Sequence, residues 1–149
     1  VIPILAVSLL LGCAKEEAQT ETPQEFTPPE DGKIKPSQAE AYVKACLGLT
    51  RALKEHEKTV REFTASHKLK SDLTELADSS FMASHPEVAV AWDDLNKKWR
   101  QKEEQAYKDA GITEEEFNWI GGALTDTLLN KEIQAEVAHK ISTGTEATE

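Results

Sequence analysis

Glu136-Val137-Ala138-His139 is the stretch whose spacing best suits a metal. A carboxylate and an imidazole three residues apart share one helical face, and Glu132 sits one turn earlier. Di-iron bundles use two such Glu-x-x-His motifs plus two further carboxylates. Here the motif occurs once, since His56, His67 and His85 have no Glu three residues before them. A solvated face of a Glu-rich helix accounts for it. His56 and His67 are sharper candidates because both fall on an apolar stripe. Eleven residues of helix separate them by ~16 Å, too far to share one ion. Two readings stand for each. One is a polar contact inside or at the end of a bundle. The other is a haem or metal ligand taking its partner from another helix, or a pH-sensitive packing position. Cys46 lies ten residues before His56, ~15 Å along a helix, so the two do not form the nucleophile–base pair of covalent catalysis. Alone on an apolar face, Cys46 reads as a small hydrophobe. Phosphate-cradling glycine loops, HExxH, CxxC and CxxCH patterns are absent. The expectation is a protein that is not an enzyme and carries no cofactor and no metal.

The elements that would position these residues are helical. Ala39, Tyr42, Cys46, Leu49, Leu53, His56, Val60, Phe63 and His67 alternate spacings of three and four, an apolar seam on one long helix. Ser37 with Glu40 is its expected capping box. Leu69, Leu73, Leu76 and Ala77 predict a shorter second helix. Ser84-His85-Pro86-Glu87 restarts the chain, because Pro suits the first helical turn. Val88, Trp92, Leu95, Trp99 and Ala106 then mark a third helix that should stop at Gly111. Thr113 with Glu116 is a second capping box, and Ile112 with Phe117 a hydrophobic staple. Ile120, Leu124, Leu128, Leu129, Ile133, Val137 and Ile141 continue a fourth helix, with a stripe shift near Asn130 that allows a kink or break there. Gly121-Gly122 inside that helix costs about 1 kcal/mol per residue relative to Ala, which close approach of a neighbouring helix or a Trp would offset. Trp92 and Trp99 read as core. Trp119, off the main stripe, is either core or an exposed anchor for a partner. The predicted fold is all-α: an antiparallel bundle of three long helices and one short, over 37–142.

Upstream, Val1 to Leu11 is an almost unbroken apolar run ending in Leu10-Leu11-Gly12-Cys13, followed by a polar, acidic and Pro-containing stretch. The run is shorter than the roughly 20 residues of helix needed to span a bilayer and fits a secretory h-region. Leu10-Leu11-Gly12-Cys13 resembles the lipobox of bacterial lipoproteins. The resemblance implies that residues 1–12 are a signal peptide remnant, h-region and cleavage site, and that Cys13 carries a diacylglyceryl thioether and an acylated amine. It also implies that Ala14, the next residue, directs the protein to the outer membrane. With Cys13 acylated, Cys46 has no disulfide partner.

Residues 14–36 hold six acids against three lysines, with Pro23, Pro28, Pro29 and Pro36. With Cys13 they read as a disordered tether, 13–36. Residues 143–149 read as a disordered tail. The 149-residue chain has a net charge of −10 and no basic block longer than Lys97-Lys98-Trp99-Arg100, so it lacks the electrostatic footprint of nucleic-acid binding. An acidic chain also adds nothing to membrane attachment beyond its lipid. The sequence therefore points to a bacterial envelope lipoprotein held to the membrane by its lipid anchor. Its helical bundle would be a non-catalytic module for an envelope protein or polymer. The alternative is a haem- or metal-binding bundle using the seam histidines.

Overall fold

Pro36 fixes where the first helix begins. In the computed structural model, which describes residues 26–126 and 128–146, helix α1 runs Pro36–Ser66. Its cap is not Ser37 with Glu40. Lys35 is extended, and its N–H donates to Gln38 Oε1 at 3.0 Å. The helix starts two residues before Ser37 could cap it, because the fixed φ of proline is already helical at the first position.

After α1 the chain turns through Lys68 and Leu73, both at positive φ, a conformation that costs a non-glycine residue about 1–3 kcal/mol. A single second helix over Leu69 to Ala77 does not form. A 3-10 turn at Thr74–Ala77 and a short helix α2, Ser79–Ser84, take its place. Asp78 Oδ1 accepts from Ser80 N and Phe81 N at 2.8 and 3.2 Å, which starts α2. Helix α3, Pro86–Ala110, begins on its proline and ends at Gly111, whose φ of 72° is the left-handed cap. Helix α4, Glu114–Ala123, is capped as expected: Thr113 Oγ1 accepts from Glu116 N at 3.1 Å. Glu116 does not reach back to close a box; its Oε1 accepts from Gln38 Nε2 at 2.8 Å and ties α4 to α1. The stripe shift near Asn130 is a break, and helix α5 covers Lys131–Glu146. The described residues are helix, turn and loop, with no strand.

Helices α1 and α3 pair antiparallel, as three contacts along their length show. A Cβ on Gly48 would lie 3.2 Å from Ala106 Cβ. Further along, the His56 ring meets Trp99 at 4.7 Å and Phe63 meets Trp92 at 5.4 Å, centroid to centroid. Around the first third of α1 the other helices close in. Gly121 of α4 lies against Tyr42, and Gly144 of α5 against Leu47. Ala39, Val43, Ala45, Ile112, Ile120 and Val137 form the base core there, with Ile120 fully buried. A second, smaller core of Phe63, Val88 and Leu95 sits at the far end, under Leu69, Leu76 and Phe81.

The α1 seam is rotated relative to a strict three–four pattern. Ala45 and Ala52 are buried, while Leu53 is 45 % exposed. Helices repeat every 3.6 residues, and the approach of α3 at Gly48 selects small residues for the contact line.

Residues 26–35, expected within the tether, lie on the domain. Phe26 packs on Trp119 at 5.5 Å, and Ile34 is 5 % exposed. Asn130 holds this arm. It is buried, its Oδ1 accepts from Ile34 N at 3.0 Å, and its Nδ2 donates to Gly32 O and Ala123 O at 3.3 and 3.2 Å. The composition that suggested disorder omits one buried Ile, one aromatic contact and one amide hub. The segment 143–146, expected in the tail, is the last turn of α5. Cys13, residues 1–12 and the rest of the leash to residue 25 lie outside the described residues, as do 147–149.

Candidate functional site

The sequence-selected ligands do not converge. His139 is exposed, and Glu136 pairs with Lys140 at 2.7 Å on the outer face of α5. Glu132 is exposed on the same helix. His56 and His67 are half-buried, and each faces an aromatic ring: His56 on Trp99, His67 on Phe63 at 4.8 Å. His85 stacks on Phe81 at 4.1 Å, and its Nδ1 lies 3.0 Å from Phe81 O. Among the described residues no three His, Cys, Asp or Glu side chains gather closely enough to hold a metal ion.

Cys46 sits beside Tyr42 in the base. Burial raises its thiol above the ordinary value, and its hydrogen bond with Tyr42 only partly offsets this. Burial, then the neighbouring Cys46, pushes the Tyr42 phenol up to about 12. A thiol held protonated is a poor nucleophile. A groove of about 620 Å³ runs between α3 and the start of α4, with Arg100, Glu103, Tyr107, Lys108 and Glu114 among its walls. No histidine or cysteine lines it. Burial, then the carboxylates of Glu114 and Glu103, raises the Tyr107 phenol, so Tyr107 offers a neutral ring rather than an acid–base group near pH 7.

What the geometry does build is a two-sided arm. Beyond Leu47, α1 and α3 continue as a pair, Gly48 to Ser66 against Pro86 to Ala106. One side is polar: Arg51, Glu55, Lys98 and Lys102 are exposed, and Lys102 bridges to Glu55 across the two helices. The Lys102 ammonium holds the Glu55 carboxyl below its ordinary range. The other side carries Leu53, His56 and Val60 on α1, and Trp92, Asn96 and Trp99 on α3. Spacings of three and four align each trio. Leu53 is exposed and the other five are half-buried. Between the base core and the second core, around Leu53 and His56, the apolar seam of α1 therefore loses part of its cover. The sequence shows the seam but not where the covering helices end; the break at Asn130 and the length of α4 decide that. Trp119, the third tryptophan, is half-buried against the base core and Phe26.

A smaller apolar spot lies at the α4–α5 turn. Asp126 Oδ1 accepts from Leu128 N and Leu129 N at 3.0 and 3.2 Å. The turn so held leaves Leu128 96 % exposed. No helix among the described residues is long and apolar enough to cross a membrane. Comparison with family models, curated proteins and solved structures finds no match, so the helical domain is assigned to no family.

Proposed function

We propose that the chain is an envelope lipoprotein, acylated at Cys13, whose helical domain binds another envelope component and performs no chemistry. In architectural terms the domain is an antiparallel bundle. The long members are α1, α3 and the α4–α5 arm, and the segment between α1 and α3 is the short one. The anchor rests on the resemblance of Leu10-Leu11-Gly12-Cys13 to a lipobox. The observation that carries the binding role is the one-sided apolar stripe of the α1–α3 arm, with Leu53 exposed and His56, Val60, Trp92 and Trp99 half-buried on a single side. Solvated sides of paired helices are normally polar, and clustered tryptophans are the side chains most enriched at binding hot spots. The histidines of that stripe meet aromatic rings rather than other ligands, which favours recognition over cofactor binding. The locale follows from the anchor: the bacterial envelope, at the outer membrane by the Ala14 address.

Two measurements test this. Cys13→Ala should accumulate unprocessed precursor and lose lipid labelling; a labelled variant refutes the anchor. A photoreactive residue at position 53, in cells, should give protein or polymer adducts. The same residue at position 59, on the polar side, should give none. Silence at position 53 refutes the binding role.

A further inference from the structure

We infer that the partner of the binding face proposed above is a second copy of the chain: the apolar side of the α1–α3 arm is covered by the same side of that copy, the two arms lying face to face and parallel. The parallel sense rests on the anchor reading, since two chains lipidated at Cys13 in one membrane present their bases at the same height. The charges around the stripe are compatible with the same arrangement. In a parallel face-to-face pair related by a twofold axis, α1 of each copy lies over α3 of the other, and residue i meets j while j meets i. Heights are set within one chain by the Gly48–Ala106, His56–Trp99 and Phe63–Trp92 contacts.

Carried across the axis, this register places Leu53 level with the second copy's Lys102 and Glu103, one turn from its Trp99, and Val60 between its Trp92 and Asn96. The outer edge of the α1 stripe carries Glu57 and Arg61, one helical turn apart. The outer edge of the α3 stripe carries Arg100 and Asp93, two turns apart. The register sets Glu57 level with position 98, two residues from Arg100, and Arg61 level with position 94, one from Asp93, within reach of these long side chains, and symmetry repeats both pairs. These groups are free to exchange partners. Glu57 and Arg61 approach only to 3.8 Å along their own helix, with side chains 57 % and 70 % exposed. Asp93 pairs with Lys97 on the surface at 65 % exposure. Exposed pairs of this kind hold weakly. Glu103, half-buried, continues the α3 stripe at the same spacing after Trp99 and stays one turn from Arg100 in its own helix, whose guanidinium can accompany it into the interface. Two two-helix arms thereby become a four-helix core. His56, Trp92 and Trp99, half-exposed in one copy, close against their counterparts.

Sedimentation equilibrium of the full chain in mild detergent tests the pairing. The expected species is a dimer. Leu53→Glu and Arg100→Glu should each weaken it at least ~10-fold, since like charges placed together oppose association. Adding Glu57→Arg to Arg100→Glu should restore affinity to within ~3-fold of the parent, because it re-forms the pair in reverse. A monomer at all concentrations, a dimer indifferent to Leu53→Glu, or a charge swap that recovers nothing would each overturn the inference. Lipid labelling of Cys13 in the same preparations separates the two claims. A labelled monomer removes the pairing and keeps the anchor. An unlabelled, charge-swappable dimer keeps the pairing and removes the anchor.

Discussion

Asn130→Ala should unlatch the N-terminal arm and cost the domain about 2–4 kcal/mol. The magnitude comes from three hydrogen bonds. Ile34 N loses its acceptor at 3.0 Å beside a side chain that is 5 % exposed, and a buried donor left unmade costs about 1–3 kcal/mol. Gly32 O and Ala123 O lose donors at 3.3 and 3.2 Å, but both residues are half-buried. Water can therefore replace part of each bond, leaving about 0.5 kcal/mol apiece. Asn130→Asp sharpens the test. It keeps an oxygen for Ile34 N but aims a second oxygen at two carbonyls. A buried carboxylate with one donor and two carbonyls facing its other oxygen has its folded-state pKa raised above the unfolded value of about 3.9. The protonated form fits, so the variant should be close to wild type below about pH 4 and lose stability as pH rises through its raised pKa. Urea unfolding followed by circular dichroism at pH 4 and pH 7 measures both, and an unchanged slope confines the effect to stability. Protease cleavage within 26–35 should rise in parallel. A loss under 0.5 kcal/mol for Asn130→Ala, or an Asn130→Asp penalty equal at the two pH values, would refute the hub.

Two helical glycines should respond oppositely to alanine. Gly48→Ala places a Cβ 3.2 Å from Ala106 Cβ and 3.7 Å from its Cα, so α3 must move away. A net loss of about 1 kcal/mol is expected despite better helix propensity. Gly122→Ala meets nothing within 4 Å and should gain up to about 1 kcal/mol; thermal melts that rank the two the other way contradict the packing at the α1–α3 crossing. His56→Leu should change stability by less than about 1 kcal/mol, trading a Trp99 ring contact for apolar area, and should leave the absorbance spectrum unaltered; loss of a bound chromophore would promote the haem reading. Cys46 should react slowly with a thiol reagent at pH 8 and faster in urea, since burial raises its thiol. Equal rates in both conditions would place the side chain in solvent.

Local signals in the sequence were read correctly where a few adjacent residues decide the outcome. Pro86 starting α3, Gly111 ending it and Thr113 starting α4 each depend on one turn of backbone. The failures share a cause of the opposite kind. Ser37 was a sound cap in isolation, but Pro36 and Gln38 together make a better one. Asn130 registered only as a break in a stripe; its role depends on the arm of residues 32–34, which no local window contains. Gly48 gave no warning, because its requirement is set by Ala106. Phe26 and Ile34 sit in a polar, proline-containing neighbourhood whose composition reads as disordered, yet one aromatic contact and one buried Ile suffice to order ten residues when an amide hub waits for them.

The unequal lengths of the helices carry the rest of the argument. Helix α1 has 31 residues and α3 has 25, while α4 has 10 and α5 has 16. A helix rises about 1.5 Å per residue, so α1 extends ~45 Å and α5 only about half of that. Gly144, near the end of α5, already lies against Leu47. The upper half of α1 and the facing half of α3 therefore rely on each other and on the small Phe63–Val88–Leu95 core. A two-helix hairpin needs one seam only, and residues on both flanks are then expected to be polar. One flank follows that rule, with Arg51, Glu55, Lys98 and Lys102. The opposite flank carries two tryptophans, a leucine, a valine and a histidine. Val60 and Trp92 help cover the second core and Trp99 faces His56, but Leu53 stays exposed and the other four keep part of their surface in solvent. That remainder fits a four-helix requirement. Helices α4 and α5, each shorter than α1 and α3, leave room beside the upper arm for two helices from outside the chain, and the edge charges at Glu57, Arg61, Asp93 and Arg100 allow the α1–α3 arm of a second copy to supply them.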